Sequence, residues 1–289
     1  MRRPGVPVPS RRIARARAAE RGMSLVEIMV AMAIGLFIVL IATTLYVNGS
    51  SNVGFRMGQS ENLGNSRYAL GTLDNEFTKA GFRRDPTQSM DEAFPADAAA
   101  LPNGCKFTVG QAIYVPADGE LCIRFQARDN DEKDCSGAAA GLGSLTAYAP
   151  PPVPALGAGL FAERYFLKDG GGALVCQAGS VEAKADGIQV ADGVKGILFE
   201  YGVGKIADSM AERRVESFKT TAPAPTEAVR SLRYAVLLAS SAQGLTAGME
   251  SSVCTRWTQL GGDSTKCDTS KGQLYQIANG SLNLRNLMP

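Results

Sequence analysis

Apolar and polar positions divide the chain into three regimes. Residues 28–47 form an unbroken uncharged run, IMVAMAIGLFIVLIATTLYV. Twenty residues at 1.5 Å each make a helix ~30 Å long, the hydrocarbon thickness of a bilayer. Beyond it, Leu63, Leu70, Leu73, Phe77 and Ala80 recur at offsets of 7, 3, 4 and 3. That spacing predicts one apolar stripe on a 3.6-residue helix. Gly81 suits a C-terminal cap, and Pro86 ends any continuation. A single helix over about 24–80 would be ~85 Å long, membrane-apolar in its first half and amphipathic in its second. The glycines at 49, 54, 58, 64 and 71 each weaken it by ~1 kcal/mol. Bending or local melting over 48–58 is therefore expected, the alternative being a flexible linker over 48–59.

Past Pro86 the period shortens to that of strands separated by turn residues. Runs at 105–114 and 120–127 flank Pro116-Ala117-Asp118-Gly119, and runs at 164–168 and 173–177 flank Asp169-Gly170-Gly171-Gly172. Each pair predicts a hairpin. Segments 194–203 and 232–239 are the strongest remaining strands. Runs at 273–277 and 281–284 around Ala278-Asn279-Gly280 predict a third hairpin near the C-terminus. Two stretches, 137–159 and 220–226, are rich in Ala, Gly or Pro and read as exposed loops. The fold class expected is α+β: a long N-terminal helix packed on a mainly antiparallel sheet with long loops.

Composition supports a folded body. The chain has 289 residues, 45% hydrophobic and 20% charged, with 32 Gly and 14 Pro. The formal charge of +2 conceals an asymmetry. Residues 1–22 carry seven arginines and one acid, Glu20; without them the chain holds 23 basic and 27 acidic residues, a net of −4. The basic character belongs to the N-terminal segment, so no nucleic-acid binding is expected of the body. The arginines precede the apolar run, and the first charge after it is Arg56. The positive-inside rule then places the N-terminus in the cytoplasm and the body outside.

Six cysteines, Cys105, Cys122, Cys135, Cys176, Cys254 and Cys267, all follow the apolar run, and none forms a CxxC. An even number in an exported body reads as three disulfides rather than a zinc or redox motif. Of fifteen connectivities, pairing of sequence neighbours is the simplest, and buried free thiols are the alternative. The chain has no histidine. That removes histidine bases, histidine ligands and Ser/His or Cys/His nucleophile pairs, and no cofactor or metal is expected. Asp129-Asn130-Asp131-Glu132-Lys133-Asp134 lacks EF-hand spacing and reads as a solvated acidic loop. The Arg213-Arg214 pair reads as surface, and Trp257 as core.

One residue does not fit a plain anchor. Glu27 lies at the start of the apolar run, where a carboxylate is costly and is usually functional. A secretory signal would have a shorter apolar stretch followed by a small-residue cleavage site. The sequence Gly22-Met23-Ser24-Leu25-Val26-Glu27, followed by Ile28-Met29-Val30-Ala31-Met32, resembles the type IV pilin signature. In that family a prepilin peptidase cuts after the Gly and methylates the new N-terminal amine. The Glu five positions on then pairs with the terminal amine of a neighbouring subunit. The resemblance implies cleavage between Gly22 and Met23, N-methylation of Met23 and an assembly role for Glu27. Met23 replaces the Phe usual in major pilins, as is tolerated in minor ones.

The body adds a looser resemblance to PilW-type minor pilins. It rests on Asp134-Cys135-Ser136-Gly137, Arg164-Tyr165-Phe166-Leu167, Ala173-Leu174-Val175-Cys176, residues 196–202 and 228–234, and Asn283-Leu284-Arg285-Asn286. The organisation implied is a leader at 1–22, a pilin-like helix at 23–82 spanning the membrane at about 28–47, and a periplasmic β-rich domain at 83–289. The implied function is structural and not enzymatic: a minor pilin that primes or joins a type IV pilus, serving twitching motility, adhesion or DNA uptake. Implied partners are the prepilin peptidase, other minor pilins, the major pilin, a tip adhesin and the inner membrane. A type II secretion pseudopilin shares the same features and stands as the alternative, with a membrane-anchored periplasmic enzyme behind it.

Overall fold

A computed structural model describes residues 22–139, 141, 148–149, 155–156, 159–168, 171–179, 187–206, 214–246 and 249–288. Of the expected features, Arg213, the Asp169-Gly170 pair and most of 140–158 lie outside these residues. The chain divides into two compact units, one ending at Ser50 and one beginning at Ser51.

The first element, α1, runs from Leu25 to Thr78 without a break. The melting expected over 48–58, and the linker alternative, are therefore corrected: the glycines there weaken the helix without ending it. The buried stripe also differs from the one expected. Within α1 it consists of Gly58, Asn62, Ser66, Ala69, Leu73 and Phe77. Leu63 is 44% exposed, and Leu70 is only partly buried. Large apolar residues occupy the stripe only in its last two turns; before them the stripe is small and partly polar. Small side chains bring helix and sheet close together. A Cβ on Gly58 would meet Leu245 Cδ1 at 2.8 Å and Leu274 Cδ1 at 3.0 Å.

Polar groups then hold the helix in register. Asn62 Nδ2 donates to the Leu274 carbonyl at 2.8 Å, and Glu61 accepts from the Ser241 backbone N–H and hydroxyl. Tyr234 donates its phenol proton to Asp74 at 2.7 Å. The end of the helix is closed by the far end of the chain. Asn286 Nδ2 lies 2.9 Å from the Thr78 carbonyl and 3.3 Å from that of Ala80, satisfying carbonyls that a helix end leaves open. Gly81 adopts φ +74°, and a Cβ there would collide with Leu287. Glycine is required at this position both for its backbone conformation and for the close approach.

The body continues with α2 (Met90–Ala93), β1 (Ile113–Tyr114), β2 (Leu121–Gln126), β3 (Ala155–Leu156), β4 (Gly159–Leu167), β5 (Gly172–Ala178), β6 (Ile188–Lys205), β7 (Ser217–Lys219), β8 (Glu227–Ala239), α3 (Ser252–Gln259) and β9 (Tyr275–Asn283). The sheet order is β1-β2-β4-β5-β6-β8-β9 and every neighbour on this path is antiparallel; β7 adds to β6, and β3 adds to β4 in parallel. This is the α+β class expected, a long helix on a mainly antiparallel sheet. The β1–β2 and β4–β5 hairpins fall where turn residues predict them.

Three strand expectations are corrected. In 105–114, only Ile113 and Tyr114 form a strand. The buried guanidinium of Arg124 accounts for this. It takes the carbonyls of Phe94 (3.0 Å), Pro95 (2.6 Å), Thr108 (2.7 Å) and Gln111, and lies against the rings of Phe94 and Phe107. Carbonyls turned toward that cation cannot run in a ladder. Near the C-terminus, β9 is continuous through Ala278-Asn279-Gly280 where a hairpin turn was expected. Gly280 pairs with Tyr234 on β8, and a Cβ at 280 would overlap that ring at 2.2 Å. The glycine there makes room for an aromatic ring instead of turning the chain. Inside the expected loop 137–159, the two residues of β3 pair with β4. The 220–226 segment has no strand or helix.

The core is centred on Phe77, which is wholly buried and meets the rings of Tyr165 (5.2 Å), Tyr234 (5.7 Å) and Phe199 (6.0 Å) edge-on. Edge-to-face packing adds about 0.5–1.5 kcal/mol per pair beyond area burial. On the other face of the sheet, Trp257 of α3 is buried as expected. It lies over Gly196 and Gly262 and donates its indole N–H to the Asp263 carbonyl at 3.1 Å.

Two substitutions on the same helix should diverge. Phe77→Ala is predicted to cost about 3–5 kcal/mol in urea unfolding, as deletion of a buried aromatic does. Gly64 faces open space, so Gly64→Ala is predicted to gain about 0.5–1 kcal/mol. A loss on Gly64→Ala comparable to that of Phe77→Ala would contradict this helix orientation.

Candidate functional site

Two places gather chemistry. The first is the start of α1. Gly22, Met23 and Ser24 precede the helix in an irregular, exposed conformation. The helix begins at Leu25, and Glu27 sits in its first turn, where a negative charge is favoured by the open N–H groups and the helix dipole. Ser24 supplies the first carbonyl, accepting from the Ile28 N–H at 3.1 Å. Spacing of three, four and seven puts Ser24, Glu27, Val30, Ala31 and Ile34 on one side of the helix. Glu27 is thus one carboxylate on an apolar face, and its neighbours there offer no cation. Residues of this stretch are exposed, including Leu36 at 72% and Phe37 at 68%. By length and composition, α1 is long and apolar enough to cross a membrane.

The second place lies in the body and was missed from sequence. Glu163 of β4 is wholly buried on the core face of the sheet. One carboxylate oxygen accepts from the Cys135 N–H at 2.8 Å, and the other from the Tyr165 hydroxyl at 2.7 Å. The Tyr165 oxygen also lies 3.4 Å from Glu76 on α1, which pairs with Lys79 at 2.7 Å. Burial, reinforced by the charge of Glu76, pushes the Glu163 carboxyl up to about 7 against the pull of Tyr165, Lys79 and the Cys135 N–H. Burial and the two carboxylates raise the Tyr165 phenol well above its usual range. Lys79 is pulled down by burial, but the bond and charge of Glu76 outweigh this and leave it raised. A period-two signal was available: Phe161 and Tyr165 face the core, so Glu163 between them must do so as well.

The six cysteines form three bonds, Cys105–Cys122, Cys135–Cys176 and Cys254–Cys267, closing 17, 41 and 13 residues. Cys105–Cys122 ties the irregular 94–112 connection to β2. Cys254–Cys267 holds α3 against the turns that follow it. Cys135–Cys176 fastens the loop after β2 to β5, beside Glu163. Loops of these lengths correspond to roughly 3–4 kcal/mol each in the chain-entropy account. The sulfurs of Cys135 and Cys176 and a carboxylate oxygen of Glu163 lie close together, but joined sulfurs offer no thiolate to a metal, so the three form a carboxyl group held against a disulfide. In the acidic loop, Asp129 accepts from the N–H groups of Asp131 and Glu132, and Asp134 accepts from those of Ser136 and Ala138. These carboxylates cap their own turns.

Residues 17–43 match the family model described as the prokaryotic N-terminal methylation motif. No curated protein matches the chain. Among solved structures, a type IV-like pilin from Thermus thermophilus aligns over 78% of this chain and 97% of its own, with 14% identity and a TM-score of 0.42.

Glu163 gives a pH prediction with a definite sign. Its folded pKa, about 7, lies above the ordinary 4.5, so the folded state binds the proton more tightly than the unfolded state. Its contribution is fully favourable below about 4.5 and is lost as the pH rises through about 7. Chemical-denaturation midpoints should therefore fall across this window for the wild type and fall less for Glu163→Gln. Equal slopes in the two proteins would show that Glu163 does not titrate in it.

Proposed function

We propose that the chain is a minor pilin of the PilW type, a structural subunit that primes or joins a type IV pilus. The N-terminal methylation motif over residues 17–43 carries this reading. On this account residues 1–22 are a leader held in the cytoplasm by its arginines. A prepilin peptidase cuts after Gly22 and methylates the amine of Met23. The subunit waits in the inner membrane with residues 28–47 in lipid and the body in the periplasm. Glu27 supplies the assembly contact. A carboxylate on an apolar face is costly in a bilayer, and an N-terminal amine from an adjacent subunit removes much of that cost. Small residues at Ala31, Ala33, Gly35 and Ala42 allow neighbouring helices to approach closely. Other minor pilins, the major pilin and a tip adhesin are its partners, and motility, adhesion or DNA uptake are properties of the filament. The body is taken as structural, with no catalytic role.

The mature N-terminal peptide, isolated from a strain with active prepilin peptidase and read by mass spectrometry, should begin with N-methyl-Met23. An intact leader would overturn the proposal and favour a membrane-anchored enzyme. Glu27→Ala should still be processed at Gly22 yet be depleted at least tenfold from sheared filaments. A pseudopilin of type II secretion would share the processing result, so gene deletion separates the two. Lost surface pili with normal enzyme export support the pilus; normal pili with blocked export support the pseudopilin.

A further inference from the structure

The buried Glu163 has a neighbour that its hydrogen bonds do not explain. The Sγ atoms of Cys135 and Cys176 and a carboxylate oxygen of Glu163 lie within 4.8 Å of one another. Tyr165 pairs with Cys176 across β4 and β5, which makes Glu163, two residues earlier, a diagonal neighbour of Cys176 on the same face. The bond from the Cys135 N–H fixes the other cysteine against the same carboxyl group. The two cysteines differ in burial: Cys176 is wholly buried, and Cys135 is partly buried. A line of polar atoms also leads outward, from Glu163 through the Tyr165 hydroxyl to Glu76 and on to Lys79, whose side chains are 23% and 29% exposed. The other two disulfides have no such carboxyl group among the described residues.

We infer that Glu163 is the proton donor and acceptor for thiol–disulfide exchange at Cys135–Cys176, connected to solvent through Tyr165 and Glu76. In reduction by a dithiol, its thiolate attacks the sulfur of Cys135, the less buried of the two residues, and the Cys135–Cys176 bond breaks. The buried Cys176 leaves as a thiolate and takes the Glu163 proton. The second thiol of the reductant, as thiolate, then attacks the reductant's sulfur in the mixed disulfide, releasing Cys135 as a thiolate that takes a proton from solvent and leaving the reductant as a disulfide. Formation runs the reverse way: the Cys135 thiolate attacks an external disulfide, forming the mixed disulfide with one carrier sulfur and freeing the other as a thiolate. Glu163 as carboxylate takes the Cys176 proton, and the new thiolate attacks Cys135 in the mixed disulfide, expelling the carrier thiolate. A buried thiolate without a proton source is an expensive leaving group, so a carboxyl group at this distance lowers the barrier in both directions. Burial of Glu163 keeps it protonated well above the ordinary carboxylate range, so the donor form persists toward neutral pH. The groups facing it are Glu76 and Lys79 from α1, Tyr165 from its own strand and the Cys135 N–H; the opposing strand positions, Ile123 and Ala178, are uncharged.

The test uses the full oxidised chain in detergent micelles with limiting dithiothreitol. Reduction of each disulfide is followed by acid quench, alkylation and peptide mass spectrometry, with rates divided by the thiolate fraction of the reductant. For Cys135–Cys176 the corrected rate should be high in mild acid and fall as the pH rises through about 7. Glu163→Gln keeps the shape of the side chain but cannot donate a proton. It should slow that bond at least tenfold in acid and flatten the profile. Tyr165→Phe removes a bond that favours the carboxylate, so the step should move to higher pH. Cys105–Cys122 and Cys254–Cys267 should keep wild-type rates in both variants. A flat wild-type profile, an unchanged Glu163→Gln, a step unmoved in Tyr165→Phe, or equal acceleration of all three disulfides would each overturn the assignment.

Discussion

The fold of the body depends on how closely residues 58–80 lie against the sheet. Leu73 and Phe77 supply the apolar grip, but they occupy only the last turns of α1. Earlier in the helix the inward positions are Gly58, Asn62, Ser66 and Ala69, which bury little apolar area. Contact there depends on distance and hydrogen bonding: Gly58 admits Leu245 and Leu274, and Asn62 and Glu61 bond the backbone of the strand connections. The C-terminal residues complete the arrangement, because Asn286 and Leu287 close the helix end. The ends of this body fold against each other, so its stability is collective and does not reside in separable segments.

Much of this was legible and some was not, for physical reasons. The apolar run and the strand-rich body follow from composition over tens of residues, and period-two runs flanked by turn residues located the β1–β2 and β4–β5 hairpins. Single-residue roles were harder. Leu63 joined the helix stripe by spacing alone, yet it is exposed because the sheet accepts small residues there. Gly280 imitated a turn because nothing local records that Tyr234 lies across from it. Arg124 draws two carbonyls of an expected strand, those of Thr108 and Gln111, toward its guanidinium together with those of Phe94 and Pro95, which is a long-range effect. Glu163 is legible in principle, as a charged residue at an inward strand position, but a single acid within a strand belongs to no run or motif that sets it apart.

On the proposed function, which puts the start of α1 in a membrane, the two notable acids of this chain solve the same problem in different ways. A carboxylate out of water must gain donors, gain a cation or keep its proton. Glu163 has donors from Cys135 and Tyr165 and a proton held up to about pH 7, all supplied by its own chain. It is therefore an internal group, with chemistry directed at its neighbours in the core. Glu27 shares its face with Ser24, Val30, Ala31 and Ile34, which supply neither charge nor enclosure. Its solution must come from outside that face. Under the assembly reading this is the advantage of placing an acid there: an uncompensated charge on a membrane helix disfavours the isolated subunit and makes joining a neighbour the route to relief. A core acid can be satisfied once, during folding. One on an exposed apolar helix is satisfied each time a contact forms, which is the property expected of a residue that governs association.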